Sequence, residues 1–539
     1  MTKTESVRWL VVGLDGASYN VLDPLISDGV VPTIARLAAT GRRLGLTAVQ
    51  PWQTPVNWTS YATGVNPGGH GIYGWWRPSP LTGRMEPASG RDVDLPRFWE
   101  IMSAAGHTVG VVNVPMTFPA RPVRGFLIAG LDSHFQAPER DPLLSWPPGI
   151  PDGLAGEGLA YRVLPELSAD SSLDEVLDRW AEVEEVRLAA TARLVETHSP
   201  EFLQVNLFGT DYVAHRTPAG HPARARAYGV ADRFIAGLLE LTGPETNVLL
   251  VSDHGSADIT DLVMIHNVLQ DADLLAFLPE LAVEQVPHVL GLPPDDPACA
   301  ALVRRLRTEG ARYRRAMYEK WRDAHPGCNV GFSTIDWDRT SAFCVSDYGQ
   351  VTVNRVRGGG AATSGREVDR VRGLVCEALN ALERDGAPLV AQILLREDLY
   401  SGRHSQDAPD ITPVPVTRDA YWSHAYVFYT SGESRKIVRV ADLVDPYRMA
   451  AFGDHHETGI LIASGPDVVR AAEPSTASIL DVAPTLLDRF GVPSPPYFEG
   501  VPLADLFGGV RPAPMSGPPA APDSRMGLQQ RLSSLGYHI

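Results

Sequence analysis

The chain has 539 residues, 44% of them hydrophobic and 21% charged, which suits a soluble globular protein too long for one small core. That length fits one large α/β domain carrying a second unit, or two to three domains. A net charge of −17 argues against a general binder of nucleic acid polymers or anionic membranes, which need a basic footprint. It leaves room for a small anionic substrate, because bound cations reverse the local field.

The first apolar run, Trp9–Leu14 (WLVVGL), is too short for a signal-peptide core and ends in Asp15-Gly16, so it reads as a buried strand. Similar runs follow at 108–114 (TVGVVNV), 125–131 (GFLIAGL), 202–208 (FLQVNLF), 247–252 (NVLLVS) and 459–464 (GILIAS). Their apolarity is continuous rather than alternating, which predicts strands buried on both faces of a largely parallel sheet with helices on either side. Residues 174–197 carry apolar side chains at three- and four-residue spacing and predict a long amphipathic helix. An Arg-rich helical pattern runs over about 298–322.

Between residue 255 and about residue 454 the strand rhythm weakens, with a strand pair predicted around 341–354. The expected organisation is a catalytic core from 1–260 and 440–510, an inserted cap over 261–439, a Pro-rich linker over 511–525 (containing RPAPMSGPPAAPD) and a short tail over 526–539. The four cysteines, Cys299, Cys328, Cys344 and Cys376, form no CxxC pair, which argues against a disulfide framework and more strongly against a thiolate zinc site. No run approaches the ~18 apolar residues of a membrane span, so a cytoplasmic location away from membranes is the expectation.

Residues with metal-ligand chemistry recur at the strand boundaries. Asp15 follows the first run, at the end of a parallel strand where such sheets bind ligands, although Asp-Gly is also a common surface turn. The segment 51–74 (PWQTPVNWTSYATGVNPGGHGIYG) is dense in turn formers and hydroxyls. Thr54 there is either a helix N-cap or a nucleophile whose alkoxide the helix dipole and a metal would favour. Thr59 and Ser60 are local rivals that fall in the helix interior.

Asp211 and His215 stand four apart just after the run 202–208, so on a helix they share a face and can reach one metal. Asp253-His254-Gly255 ends the next run, and His455 lies in Asp454-His455-His456 before the last one. Each fragment also has a bland reading as a solvated face, a buried polar pair or a polar loop. Together they supply three carboxylates, three imidazoles and a hydroxyl, enough to hold two divalent metals about 3.5–4 Å apart.

The motifs GLDGAS, TPVNWTSYATGVNPGGHGIYG, VNVPMTFP, GTDYVAH, VSDHG and HHETGILIASGP resemble the alkaline phosphatase superfamily, most closely its type I phosphodiesterase/nucleotide pyrophosphatase branch. The resemblance covers about residues 8–260 and 440–505, with weaker echoes in DWDRTSAFCVSDYGQVTVN of the cap and in the closing LSSLGYHI. It implies an alkaline-phosphatase-like three-layer α/β sandwich with a mostly parallel sheet and an inserted α+β cap. It also implies two metal sites, one from Asp211, His215 and His455 and the other from Asp15, Asp253, His254 and the Thr54 oxygen. The resemblance places Thr54 as the nucleophile and Asn57 at the phosphate oxygens, and it favours His455 over His456. His70, in the HGI turn, is expected to be structural. The all-nitrogen and oxygen donor set points to Zn²⁺, with Mn²⁺ the alternative.

The implied reaction is two in-line displacements at phosphorus through a phospho-threonine, with a small phosphorylated molecule as substrate. One departure stands out: Pro55 has no N–H where pyrophosphatase relatives turn a backbone N–H toward the phosphate. The alternatives are a phosphomonoesterase or phosphonate hydrolase on the same site, or a non-catalytic binding protein. A sulfatase would need a CxPxR-like segment, which is lacking, and a phosphoglycerate-mutase-like isomerase would use a serine. Tyr73, Trp75 and Trp76 could stack a base or sugar or pack in the core. Arg355 and Arg357 are expected on a solvated surface.

Overall fold

Six positions in a row without a polar side chain leave Trp9–Leu14 (WLVVGL) with no polar face, and every one of them is buried. This strand, β1, sits near the middle of the central sheet. The computed structural model describes residues 7–508 apart from 79–84, 136–140, 168–170, 277–334, 345–347, 357, 416–419, 424–434, 441–451 and 470–474. The expected Arg-rich helix, the linker and the tail lie outside the described residues.

The other strands of this sheet are β2 (Arg42–Thr47), β3 (Val109–Val114), β4 (Gly125–Ala129), β5 (Ser145–Trp146), β6 (Phe202–Leu207), β7 (Asn247–Val251), β8 (Thr458–Ser464) and β9 (Ser475–Ser478). Their order is β9-β2-β8-β7-β1-β6-β3-β4-β5. The block β7-β1-β6-β3-β4 is parallel throughout. The edge strand β5 runs antiparallel to β4, and β8 runs antiparallel to both β7 and β2. Continuous apolarity reports burial of β8 on both faces but does not encode its direction.

Helices cover both faces. Trp9 and Val11 point to one side, where Trp58 and Tyr61 of α3 (Thr54–Thr63), Phe98 and Trp99 of α4 (Phe98–Ala104) and Leu486 and Leu487 of α9 (Val482–Arg489) complete a core. Leu10, Val12 and Leu14 point to the other side. They meet Leu22 of α1 (Tyr19–Ser27), Ile34 and Leu37 of α2 (Pro32–Thr40), Leu194 of α5 (Leu173–His198) and Phe234, Ile235 and Leu238 of α7 (Pro222–Thr242). The period-two alternation of side chains thus divides one strand between two cores, giving three layers. The predicted helix over 174–197 is α5, started by a capping box in which Ser172 Oγ accepts from the Glu175 N–H.

Between β7 and β8 the chain builds a second core. Ala342–Cys344 and Val351–Val353 form the predicted antiparallel pair, which extends through Ile411–Pro415 to Val390–Leu395. Helix α8 (Gly365–Asn380) packs Val371, Val375 and Leu379 against this sheet. A buried ion cluster ties these pieces together. Asp410, with its side chain wholly inaccessible, accepts from Arg355 Nη1 at 2.7 Å, Arg372 Nη2 at 2.7 Å and the Val353 N–H at 2.8 Å. Burial alone would raise its pKa, but these donors hold the carboxyl below the usual range. Arg355 is therefore a cap-building residue rather than a solvated one, and Arg357 lies outside the described residues.

This unit rests on the core just after α3. Asn66 Nδ2 donates to Ser401 Oγ at 2.9 Å, His404 N–H to Gly68 O at 2.8 Å and Tyr73 Oη to His404 O at 2.7 Å. Trp76 packs against the second core. Tyr73 and Trp76 thus join the two units. Among the described residues no helix is long and apolar enough to cross a membrane.

Truncating Asp410 removes the buried carboxylate that Arg372 and the partly exposed Arg355 share. Asp410→Ala is expected to destabilise the protein by about 3 kcal/mol, as for a broken buried ion pair. The checks are a lowered urea midpoint and faster proteolytic cleavage between residues 342 and 411.

Candidate active site

The parallel strands β1, β6 and β7 end at the same edge of the sheet, where each passes into a loop or helix. Asp15 follows β1, Asp211 and His215 lie on α6 (Gly209–Arg216) after β6, and Asp253 and His254 follow β7. His455 arrives from far along the chain in a small ribbon: Gly453–His456 pairs antiparallel with Gly255–Asp258, placing His455 opposite Ser256. The structure brings all seven expected metal-site residues, Thr54 included, into one cluster.

Thr54 is the first residue of α3, with Gln53 in the capping position, so its hydroxyl does not cap the helix. Instead Thr54 Oγ1 lies 3.4 Å from Asp15 Oδ1 and 3.3 Å from His254 Nε2. The rival hydroxyls are committed elsewhere: Thr59 donates to Pro55 O at 2.6 Å, and Ser60 meets His70 Nε2 at 2.9 Å. His70 accepts the Ile72 N–H at its other nitrogen, and burial pushes its pKa down to about 3, so it is a neutral structural group.

Two donor sets interlock. In the first, His254 Nε2 stands 3.2 Å from Asp253 Oδ2 and 3.6 Å from Asp15 Oδ1, and all three residues are at most 1% exposed. In the second, His215 Nε2 is 3.3 Å from Asp211 Oδ2, and His455 Nε2 is 3.5 Å from Asp211 Oδ1. These side chains are 9–24% exposed. The rings of His254 and His455 stack with centroids 3.6 Å apart, so the sets touch.

The donor chemistry fits divalent cations. Each histidine faces a backbone carbonyl with Nδ1: Gly453 O for His215 at 2.8 Å, Gly255 O for His254 at 3.0 Å and Trp52 O for His455 at 2.6 Å. That arrangement commits Nδ1–H and leaves the Nε2 lone pair for a ligand. His215 Nε2 and His455 Nε2 then face each other at 3.0 Å, where two lone pairs repel unless a proton or cation lies between them. Asp211 Oδ1 and Asp253 Oδ2 are buried with no hydrogen-bond partner.

Electrostatics agree. Burial, and then Asp211, push Asp15 well above the usual carboxylate range; burial, Asp15 and Asp211 do the same to Asp253. Burial also opposes charge on Asp211, but His215 and His455 override it and hold that carboxyl well below the range. Burial disfavours a charged His215, yet Asp211 raises it to about 9. Without cations, then, protons would have to be shared among these groups.

Supporting groups explain the local sequence. Trp58, four residues after Thr54, donates its indole N–H to Asp15 Oδ2 at 2.9 Å. Thr210 Oγ1 donates to Asp15 O at 2.7 Å, and Ser252 Oγ bridges Ala17 O and the Ile460 N–H. Gly16 has φ +65°, and a Cβ there would fall 2.6 Å from Asp211 Oδ1, so both the turn and the carboxylate require glycine. Trp58 and Gly16 escape a search for ligand residue types alone, although the i, i+4 spacing from Thr54 to Trp58 is visible once α3 is drawn.

Asn57, expected at the phosphate oxygens, is wholly buried and turned toward the preceding loop. Its Oδ1 accepts the Val49 N–H at 2.7 Å, and its Nδ2 faces Val49 O at 3.1 Å and Pro51 O at 3.0 Å. In this conformation it braces the segment that delivers Thr54. Two further groups reach the open set without having been singled out in the sequence. Asp454 forms a potential ligand group with His215 and His455, and Tyr348 comes from the second unit.

This chain is similar to solved structures and to one family model. Phosphonoacetate hydrolase from Sinorhizobium meliloti 1021, solved with phosphonoacetate and with phosphonoformate, superposes with a TM-score of 0.54 at 18% identity, over 89% of this chain and 94% of that one. Human ectonucleotide pyrophosphatase/phosphodiesterase 5 gives a TM-score of 0.49 at 13% identity, over 93% of this chain and 100% of that one. The first likeness shows a shared fold, the mixed α/β sandwich with a large, mostly parallel sheet. The family model for type I phosphodiesterase / nucleotide pyrophosphatase matches residues 9–426, and the chain belongs to that family.

Proposed function

We propose that this protein is a two-metal hydrolase of phosphate esters, of the phosphodiesterase/nucleotide pyrophosphatase type, with Thr54 as nucleophile and a small phosphorylated molecule as substrate. The observation that carries this reading is the Thr54 hydroxyl at the start of α3, held between Asp15 and His254 and clear of any capping role. Asp15, Asp253 and His254 would hold one cation beside it, and Asp211, His215 and His455 the other. Bound there, Zn²⁺ or Mn²⁺ would lower the pKa of a coordinated hydroxyl and offset charge on phosphoryl oxygens.

The chain's own groups define the rest. Thr54 Oγ1 would form a bond to phosphorus as the bond to the ester oxygen on the far side breaks, the hydroxyl proton leaving with the departing alcohol or to solvent. A water then attacks the phospho-threonine, giving free phosphate or phosphomonoester and restoring the hydroxyl. Trp58 fixes Asp15 from behind, and the three Nδ1–H groups fix the imidazoles. Pro55 brings no N–H to the phosphate, and contact from Asn57 would require it to give up a bond to the 49–53 backbone. Charge offset on the phosphoryl oxygens therefore rests mainly on the cations.

The test is hydrolysis of bis-p-nitrophenyl phosphate beside p-nitrophenyl phosphate and phosphonoacetate, with Zn²⁺ or Mn²⁺ supplied. Preference for the diester is expected, with kcat/KM falling about a thousandfold or more in Thr54→Ala. Preference for the monoester or the phosphonate would reassign the substrate and keep the site. Turnover of a preferred substrate unaffected by Thr54→Ala would reject the nucleophile.

Metal content gives an independent check. Chelation should abolish turnover and lower the melting temperature, because metal binding to the native state is lost. Elemental analysis should find two cations per chain in the wild type and one in Asp253→Asn. A wild type that binds none would overturn the two-metal reading.

A further inference from the structure

The second unit sends one side chain into the metal-ligand cluster. Tyr348 stands three residues before Val351–Val353, the strand paired antiparallel with Ala342–Cys344. Its ring stands 5.4 Å from the His455 ring, centroid to centroid, and is tilted by 38°. Its hydroxyl contacts His455 Nδ1 and lies 3.3 Å from Asp454 Oδ1. One phenol therefore touches a proposed ligand and the carboxylate next to it in sequence. Asp454, His215 and His455 offer donor atoms all within 4.8 Å of one another.

We propose that Tyr348 is a positioning residue by which the inserted unit sets the more open metal site, acting on His455 and Asp454. The inference rests on the two-metal reading above. His455 Nδ1–H has two acceptors, Trp52 O from the nucleophile loop and the Tyr348 oxygen from the insertion. Both favour the tautomer whose Nε2 faces Asp211. The Tyr348 O–H then donates to Asp454 Oδ1, which orients that carboxylate with respect to His215 and His455. Partners of this kind around a metal ligand typically change affinity 10–100-fold when removed. The site that would face the leaving group is thereby coupled to the inserted unit.

Tyr348→Phe keeps the ring and removes only the hydroxyl, so the hairpin packing is retained. In chelator-competition titrations with Zn²⁺, the variant should show one of its two affinities weakened by about 10–100-fold and the other unchanged. The melting temperature of the chelated protein should match that of the wild type. Turnover at limiting Zn²⁺ should drop and recover at high Zn²⁺, a rescue that a merely structural defect would not show. Asp454→Asn should weaken the same site, and the double variant should lose less than the product of the two single effects.

Two wild-type affinities in Tyr348→Phe, or strictly multiplicative losses in the double variant, would overturn the proposal. A wild type that binds no metal would overturn it together with the reading on which it rests. A wild type with two sites and an indifferent Tyr348→Phe would reject this inference alone.

Discussion

Three carboxylates, Asp15, Asp211 and Asp253, share a site that bulk water barely enters, and most of the surrounding structure is arranged around that fact. Isolated carboxylates resist burial, and neighbouring ones resist it more, because each raises the energy of the others' charged forms. Protons can relieve the strain only in part: Asp15 and Asp253 are pushed up while Asp211 is held down by two imidazoles. Divalent cations relieve it more completely, and the oxygens of Asp211 and Asp253 that accept no hydrogen bond mark where positive charge is still wanted. The backbone carbonyls behind the histidines, the Trp58 indole and the glycine at position 16 all serve to keep those charges together.

Such a site needs a frame that does not relax. Parallel strands provide it, since β1, β6 and β7 lie side by side in register and end together. The hydroxyls of Thr210 and Ser252 tie those ends to one another, so a shift of one loop would strain its neighbours. The small ribbon carrying His455 adds a fourth element at the cost of few residues. It is polar on both strands, and it holds its place through pairing with the segment that directly follows His254.

Much of this is legible in the sequence because two different signals coincide. Runs such as WLVVGL and NVLLVS announce buried strands, and ligand-type residues directly behind them announce which end of the sheet is used. What cannot be read follows from the limits of those signals. Strand β2 (RRLGLT) alternates and opens with two arginines, so it lacks the continuous apolarity of its neighbours, although it is fully integrated next to β8. The direction of β8 depends on the path of a long insertion. Arg355 reads as a surface charge until Asp410, more than fifty residues later, is brought against it. Tyr348 lies within a stretch that resembles the family, yet a tyrosine in a hairpin has no distinguishing neighbour until His455 is in place. Asn57 shows the converse: a motif position suggests a role, and the packing of its amide against residues 49–51 shows what the side chain does in this conformation.

The two donor sets are unequal in a way that bears on chemistry. The one next to Thr54 is sealed, with Asp253 and His254 inaccessible, whereas His215 and Asp211 retain roughly a fifth of their side-chain surface. In-line displacement puts the attacking and leaving oxygens on opposite sides of phosphorus. With Thr54 as the proposed nucleophile on the sealed side, the leaving group would depart past the open set, toward Tyr348 and the inserted unit. Exclusion of water would favour a sharply tuned Thr54, and access would favour entry of the water that the proposed second displacement needs. Specificity would then be written on the open side, where this chain has placed a phenol, a carboxylate and a pair of imidazoles.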